Sequence, residues 1–110
     1  MAYDSGLTER IADCLRDHAF IESRAMFGGL AFFINGNMLA AVLGDELVVR
    51  VGPAAWEGAL ALPHARKMDF TGRPMRGFVT VDPDGIEDDG DLAAWLDRGI
   101  AFAGNLLPKP

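Results

Sequence analysis

Cysteine is almost missing from this chain: Cys14 is the single one, so no internal disulfide can form and nothing calls for an oxidising compartment. Basic charge is scarce too. Ten Lys and Arg stand against sixteen Asp and Glu, a formal charge of −6 that argues against direct nucleic-acid binding and against an anionic membrane surface. Histidine occurs only as His18 and His64; with Cys14 they fall short of a zinc set, so no metal and no cofactor is expected. Serine occurs only as Ser5 and Ser23, neither within a G-x-S-x-G elbow. No two glycines stand two apart, which removes the dinucleotide fingerprint, and the Walker-like spacing Gly72 to Gly77 runs into Phe78-Val79 where Lys and Ser or Thr belong. No catalytic constellation is left, and a non-catalytic domain is the expectation.

What is present is a folding composition. Half of the 110 residues are apolar and 24% are charged, the balance of a chain with a real core rather than a disordered one. No linker, repeat or low-complexity segment divides it, so residues 1–110 read as one domain. Ala25 to Gly44 carries no charge over twenty residues, a spanning length, yet Gly28-Gly29 and Asn35-Gly36-Asn37 interrupt it with turn residues. Strands are expected there, not a membrane helix. The opening Met1-Ala2-Tyr3-Asp4 has an acid and no basic stretch, so no secretory leader is expected and the cytoplasm is the default location.

Periodicity predicts the elements. Leu7, Ile11, Cys14, Leu15 and Ala19 fall at helical spacing, with Asp4, Ser5 and Thr8 as candidate caps and His18 in the last turn. Strand-like segments then follow at Glu22 to Phe27, Leu30 to Ile34, Met38 to Leu43 and Glu46 to Val51, separated by Gly28-Gly29, Asn35-Gly36 and Gly44-Asp45. Gly28-Gly29 is either a turn or a bulge in one long strand. Pro53 opens a short helix with Trp56, Ala59 and Leu60 as its stripe, and Pro63 closes it. Ala65 to Phe70 and Gly77 to Asp82 read as two more strands, joined through Thr71-Gly72-Arg73-Pro74. A last helix runs from near Asp91 through Leu92, Trp95, Leu96, Gly99 and Ala103, and Pro108-Lys109-Pro110 is a tail. The order α-β(3-4)-α-β(2)-α predicts an α+β, two-layer domain with a mainly antiparallel sheet of five or six strands and about three helices.

Two of the strands are patterned unusually. Leu47, Val49 and Val51 alternate with Val48 and Arg50, but Ala31-Phe32-Phe33-Ile34 and Met38 to Leu43 do not alternate at all, as strands shielded on both faces do. So short a chain has few helices with which to cover two faces, and a second copy would supply the missing layer.

Charge is distributed unevenly. Asp82, Asp84, Glu87, Asp88, Asp89 and Asp91 form an acidic stretch without calcium-loop spacing, since the twelfth position is Ala93, and it reads as a solvated loop capping the last helix. By contrast, His64 to Arg76 carries Arg66, Lys67, Arg73 and Arg76 against one acid. Those four are the candidate site for an anion or an acidic partner surface; the alternative is that they are outward strand residues paired with the acidic loop.

The stretch Arg24 to Met38, with Met26-Phe27-Gly28-Gly29 and Asn35-Gly36 at its core, followed by Leu47 to Val51, resembles the N-terminal domain of the TfoX (Sxy) competence regulators. Met75 to Val79, Leu92, Trp95, Leu96 and Asn105 to Lys109 are similar to the closing pattern of stand-alone members. The resemblance implies a secretion-chaperone-like α+β fold, pairing as homodimers in bacteria, and a regulatory link to transcription of DNA-uptake genes through an unknown protein partner. It implies structural roles for Met26, Phe27, Gly28, Gly29, Asn35 and Gly36, and no catalytic residues. An anionic small-molecule-binding or enzymatic domain using Arg66 to Arg76 is the competing expectation.

Overall fold

The computed structural model describes residues 3–26, 28–70 and 72–109. Among them the order is α1 (Ser5–Leu15), β1 (Ile21–Met26), β2 (Gly29–Ile34), β3 (Asn37–Leu43), β4 (Glu46–Arg50), α2 (Trp56–Leu60), β5 (Ala65–Phe70), β6 (Arg73–Val81), a 3₁₀ turn at Pro83–Gly85 and α3 (Asp89–Ala103). The six strands form one sheet in the order β1-β2-β3-β4-β6-β5, every pairing antiparallel. The α+β class and the order α-β4-α-β2-α are those expected.

Turn chemistry sets the meander. Ile34 pairs with Asn37 across Asn35 (φ 54°) and Gly36 (φ 80°), the positive-φ pair that a tight hairpin needs. Met26 pairs with Gly29, so β1 and β2 are a hairpin rather than one bulged strand; Gly28 (φ 76°) lies in the turn and Gly29 opens β2. Phe27, Thr71 and Pro110 lie outside the described residues.

A bulge explains why β3 does not alternate. Phe32 pairs with Ala40 but Phe33 pairs with Met38, leaving Leu39 as the extra residue. Both Leu39 and Ala40 therefore join the helix-side core, with Phe32, Ile34, Val42, Leu47, Val49, Val79, Val81, Leu92 and Leu96. Full burial of each large aliphatic side chain contributes about 1.5–3 kcal/mol. On the opposite face Ala31, Phe33, Ala41, Val48 and Met68 form a second buried cluster. The two-sided shielding of β2 and β3 is thus achieved within one chain, by the chain's own sheet and ends.

Several boundaries differ from the sequence reading. Asp4 caps α1, accepting from the Leu7 amide at 3.1 Å, but the helix stops at Leu15 and not at Ala19. Arg16, Asp17, His18 and Ala19 bury nothing, and Phe20 turns into the left-handed region (φ 64°), so the chain is already bending toward β1. His18 lies past the helix. Pro53 precedes α2 by three residues and does not sit in its first turn. Strand β6 starts at Arg73, including Arg73-Pro74, which the sequence assigned to a connection. Proline is tolerated there because β4 reaches only Phe78 to Val81, leaving the first half of β6 with β5 alone as neighbour. Asp88 caps α3 by accepting from the Gly90 amide at 2.7 Å, so that helix begins at Asp89, and the stripe Leu92, Trp95, Leu96, Gly99, Ala103 is buried as expected.

The C-terminal segment is not a free tail. The side-chain amide of Asn37, only 2% exposed, donates to the Leu107 carbonyl at 3.0 Å, and the Lys109 amide donates to the Asn35 carbonyl at 2.8 Å. This strap lies over Gly36, where a Cβ would come within 2.7 Å of the Lys109 oxygen.

Candidate functional site

The face of the sheet turned away from the helices carries a cavity of about 420 Å³. Alternation along the strands decides what lines it: Phe33 from β2, Met38 and Ala41 from β3, Val48 and Arg50 from β4, and Met68 from β5. β6 needs a device to contribute twice. Gly77 (φ 90°) accepts the Val51 and Gly52 amides at 2.8 and 3.0 Å on one carbonyl, and this local break lets both Met75 and Phe78 face the cavity. The Lys109 strap and Gly36 form one end. Four of the five methionines, Met26, Met38, Met68 and Met75, line the space. Thioether side chains adapt to irregular guests better than branched ones.

Its charge is opposite to that of the whole protein. The lining contains Arg50 and Lys109 and no carboxylate, in a chain of net charge −6. Arg50 stands 5.8 Å from the Phe78 ring centre and 5.2 Å from that of Phe102, a cation held among aromatic faces, with no acid in ion-pair range among the described residues. Arg24 covers Phe33 at 4.5 Å, with Glu22 3.9 Å away.

The basic segment singled out from sequence is divided by the strand geometry. Arg66 points to the helix-free side and is engaged by Glu46 at 2.5 Å and by Asp82. The hydrogen bond to Glu46, aided by the charges of Glu46 and Asp82, holds its guanidinium above the ordinary value. Lys67, the next residue, faces the helices and lies 5.8 Å from the Trp56 ring. Arg73 and Arg76 are exposed on β6, without an ion pair among the described residues. Of the residues marked by the resemblance, Met26 and Gly36 line the cavity, Gly28 and Asn35 occupy turns, and Gly29 is buried against β3. Sequence reasoning missed Arg50, Met68, Met75, Phe78 and Lys109 as one group; the signal was the second apolar face of β2 and β3.

Cys14, half-buried on α1, belongs to the core rather than to this face. Burial, then the Asp89 charge, pushes its thiol up. The folded state therefore keeps the proton longer than the unfolded chain: this contribution to stability is present below the ordinary thiol range and is lost as pH rises through the raised value. Alkylation by iodoacetamide at pH 8 is expected to be several-fold slower in the folded protein than in urea; equal rates would show the thiol to be open.

The family described as the TfoX N-terminal domain matches residues 13–103 of the chain. Neither a curated protein nor a solved structure matches. Among the described residues, no helix is long and apolar enough to cross a membrane.

Proposed function

This chain belongs to the TfoX N-terminal domain family, and from that premise we propose that it is a small cytoplasmic regulatory domain that acts by protein association, with a second copy of itself as first partner. What supports the reading is apolar surface gathered at one end of the sheet. Phe20 is 77% exposed and Leu107 is 87% exposed. Both flank the β2–β3 turn, since the Asn35 amide donates to the Phe20 carbonyl at 3.1 Å and the Asn37 side chain reaches the Leu107 carbonyl. A phenylalanine in the left-handed region is a strained position, and such strain is kept where a surface is used. Isologous pairing of two such ends takes both side chains out of water. Contacts made by the pair then serve regulation, with transcription of DNA-uptake genes as the process that the family suggests.

Light scattering across a concentration series tests this, with twice the 11.8 kDa chain mass as the expected result. Phe20→Asn combined with Leu107→Asp is expected to give a folded monomer whose melting temperature no longer rises with protein concentration, the fold being kept because Asn accepts the left-handed region more readily than Phe. A wild-type monomer throughout would overturn self-association. A double variant that still pairs would overturn the surface.

A further inference from the structure

We propose that the methionine-lined cavity is a binding site for a small amphipathic anion: an unbranched, medium-length alkyl chain ending in a carboxylate. Shape carries the first half of the argument. Met26 stands on β1 and Met68 on β5, the two outermost strands, so the cavity floor crosses the whole sheet. With neighbouring strands roughly 4.8 Å apart, that floor is several spacings long. A volume of about 420 Å³ spread over it makes a shallow space, suited to one small flexible ligand lying flat on the strands rather than to a bulky ring system. Four thioethers with Phe33, Val48 and Phe78 give an alkyl chain apolar contact along its length.

Charge carries the second half. Arg50 and Lys109 are the charged residues of the lining, both cationic. The Arg50 guanidinium, flanked by Phe78 and Phe102, presents a fork of donors that a carboxylate accepts in pairs. A neutral chain would leave that fork without an acceptor. This site meets the Phe20 and Leu107 surface at the β2–β3 turn, but neither of those side chains lines it; from the Arg66 to Arg76 segment it takes Met68 and Met75 and none of the four basic side chains, of which Arg66 is already engaged by Glu46 and Asp82.

Isothermal titration of the full chain with decanoate, octanoate, decan-1-ol, inorganic phosphate and a short peptide with an apolar C-terminal end tests the assignment. Decanoate is expected to bind at one site per chain, with affinity falling about fourfold for each methylene removed. Decan-1-ol and the peptide should bind at least tenfold more weakly, and phosphate should give no signal. Arg50→Met should weaken decanoate about tenfold and leave decan-1-ol unchanged. Met75→Glu, at a position already 37% exposed and so tolerant of a polar group, should abolish decanoate binding by placing a carboxylate in the channel. Wild-type protein that ignores decanoate, alcohol binding as tightly as the acid, tighter binding of the peptide, or decanoate affinity untouched in both variants would each overturn the proposal. The Phe20→Asn, Leu107→Asp chain should keep full decanoate affinity, so loss of association and loss of ligand are read separately.

Discussion

A Gly29→Ala chain is expected to lose about 3 kcal/mol of stability, at the upper end of what overpacking a tight interior does. The reason is not conformational freedom. Gly29 lies outside the positive-φ group formed by Gly28, Gly36, Gly44, Gly52, Gly72 and Gly77, so alanine can adopt its backbone geometry. Left to that alone, the substitution would stabilise slightly, by about 0.4–1 kcal/mol, through a less free unfolded chain. What opposes it is contact: a Cβ at Gly29 would overlap the Val42 carbonyl oxygen and come within 2.6 Å of Leu43 Cδ2. The leucine tip can move, but the carbonyl belongs to the β2–β3 ladder and cannot move without breaking it. In thermal unfolding the midpoint should drop by roughly 12–24 °C, from the usual 4–8 °C per kcal/mol for a domain near this size. An unchanged midpoint would mean that β2 does not approach the Val42 carbonyl of β3 this closely.

The hairpins were legible because their turns carry their own chemistry. Asn35-Gly36 and Gly44-Asp45 sit where two-residue connections need positive φ, and the stripe from Leu92 to Ala103 has a period that only a helix satisfies. The cavity was not legible in the same way. Its lining comes from all six strands and the strap, and two local events aim it: the extra residue at Leu39 and the break at Gly77. Neither leaves a compositional trace, since Leu39 is one apolar residue in an apolar run and Gly77 reads as an ordinary strand start. The basic segment misled for the opposite reason. Arg66 and Lys67 are neighbours in sequence, and strand alternation therefore sends them to opposite faces. Non-alternation in β2 and β3 did announce a second buried face, but it did not say that the same chain would cover it.

Position 99 yields the other large effect, and it comes with its own control. Gly99 sits in the middle of α3, where replacing glycine with alanine ordinarily gains up to about 1 kcal/mol of helix propensity. Here a Cβ would lie 2.6 Å from the Leu39 carbonyl oxygen and 3.4 Å from Val49 Cγ1. Leu39 is the bulged residue of β3, and its carbonyl lies close against α3 at Gly99. Moving α3 away would unseat Trp95 and Leu96, which fill the layer between them. Gly99→Ala should therefore destabilise by about 2 kcal/mol in spite of its propensity gain, measured by urea unfolding with an unchanged m-value. The same chemical change at Gly58 in α2, where an added Cβ meets nothing within 4 Å, should stabilise by a few tenths to about 1 kcal/mol. Opposite signs for one substitution type at two helical glycines isolate the contact from the propensity. Should both variants move the midpoint in the same direction, α3 does not rest on the bulge, and the curvature that shapes the face behind it would need another origin.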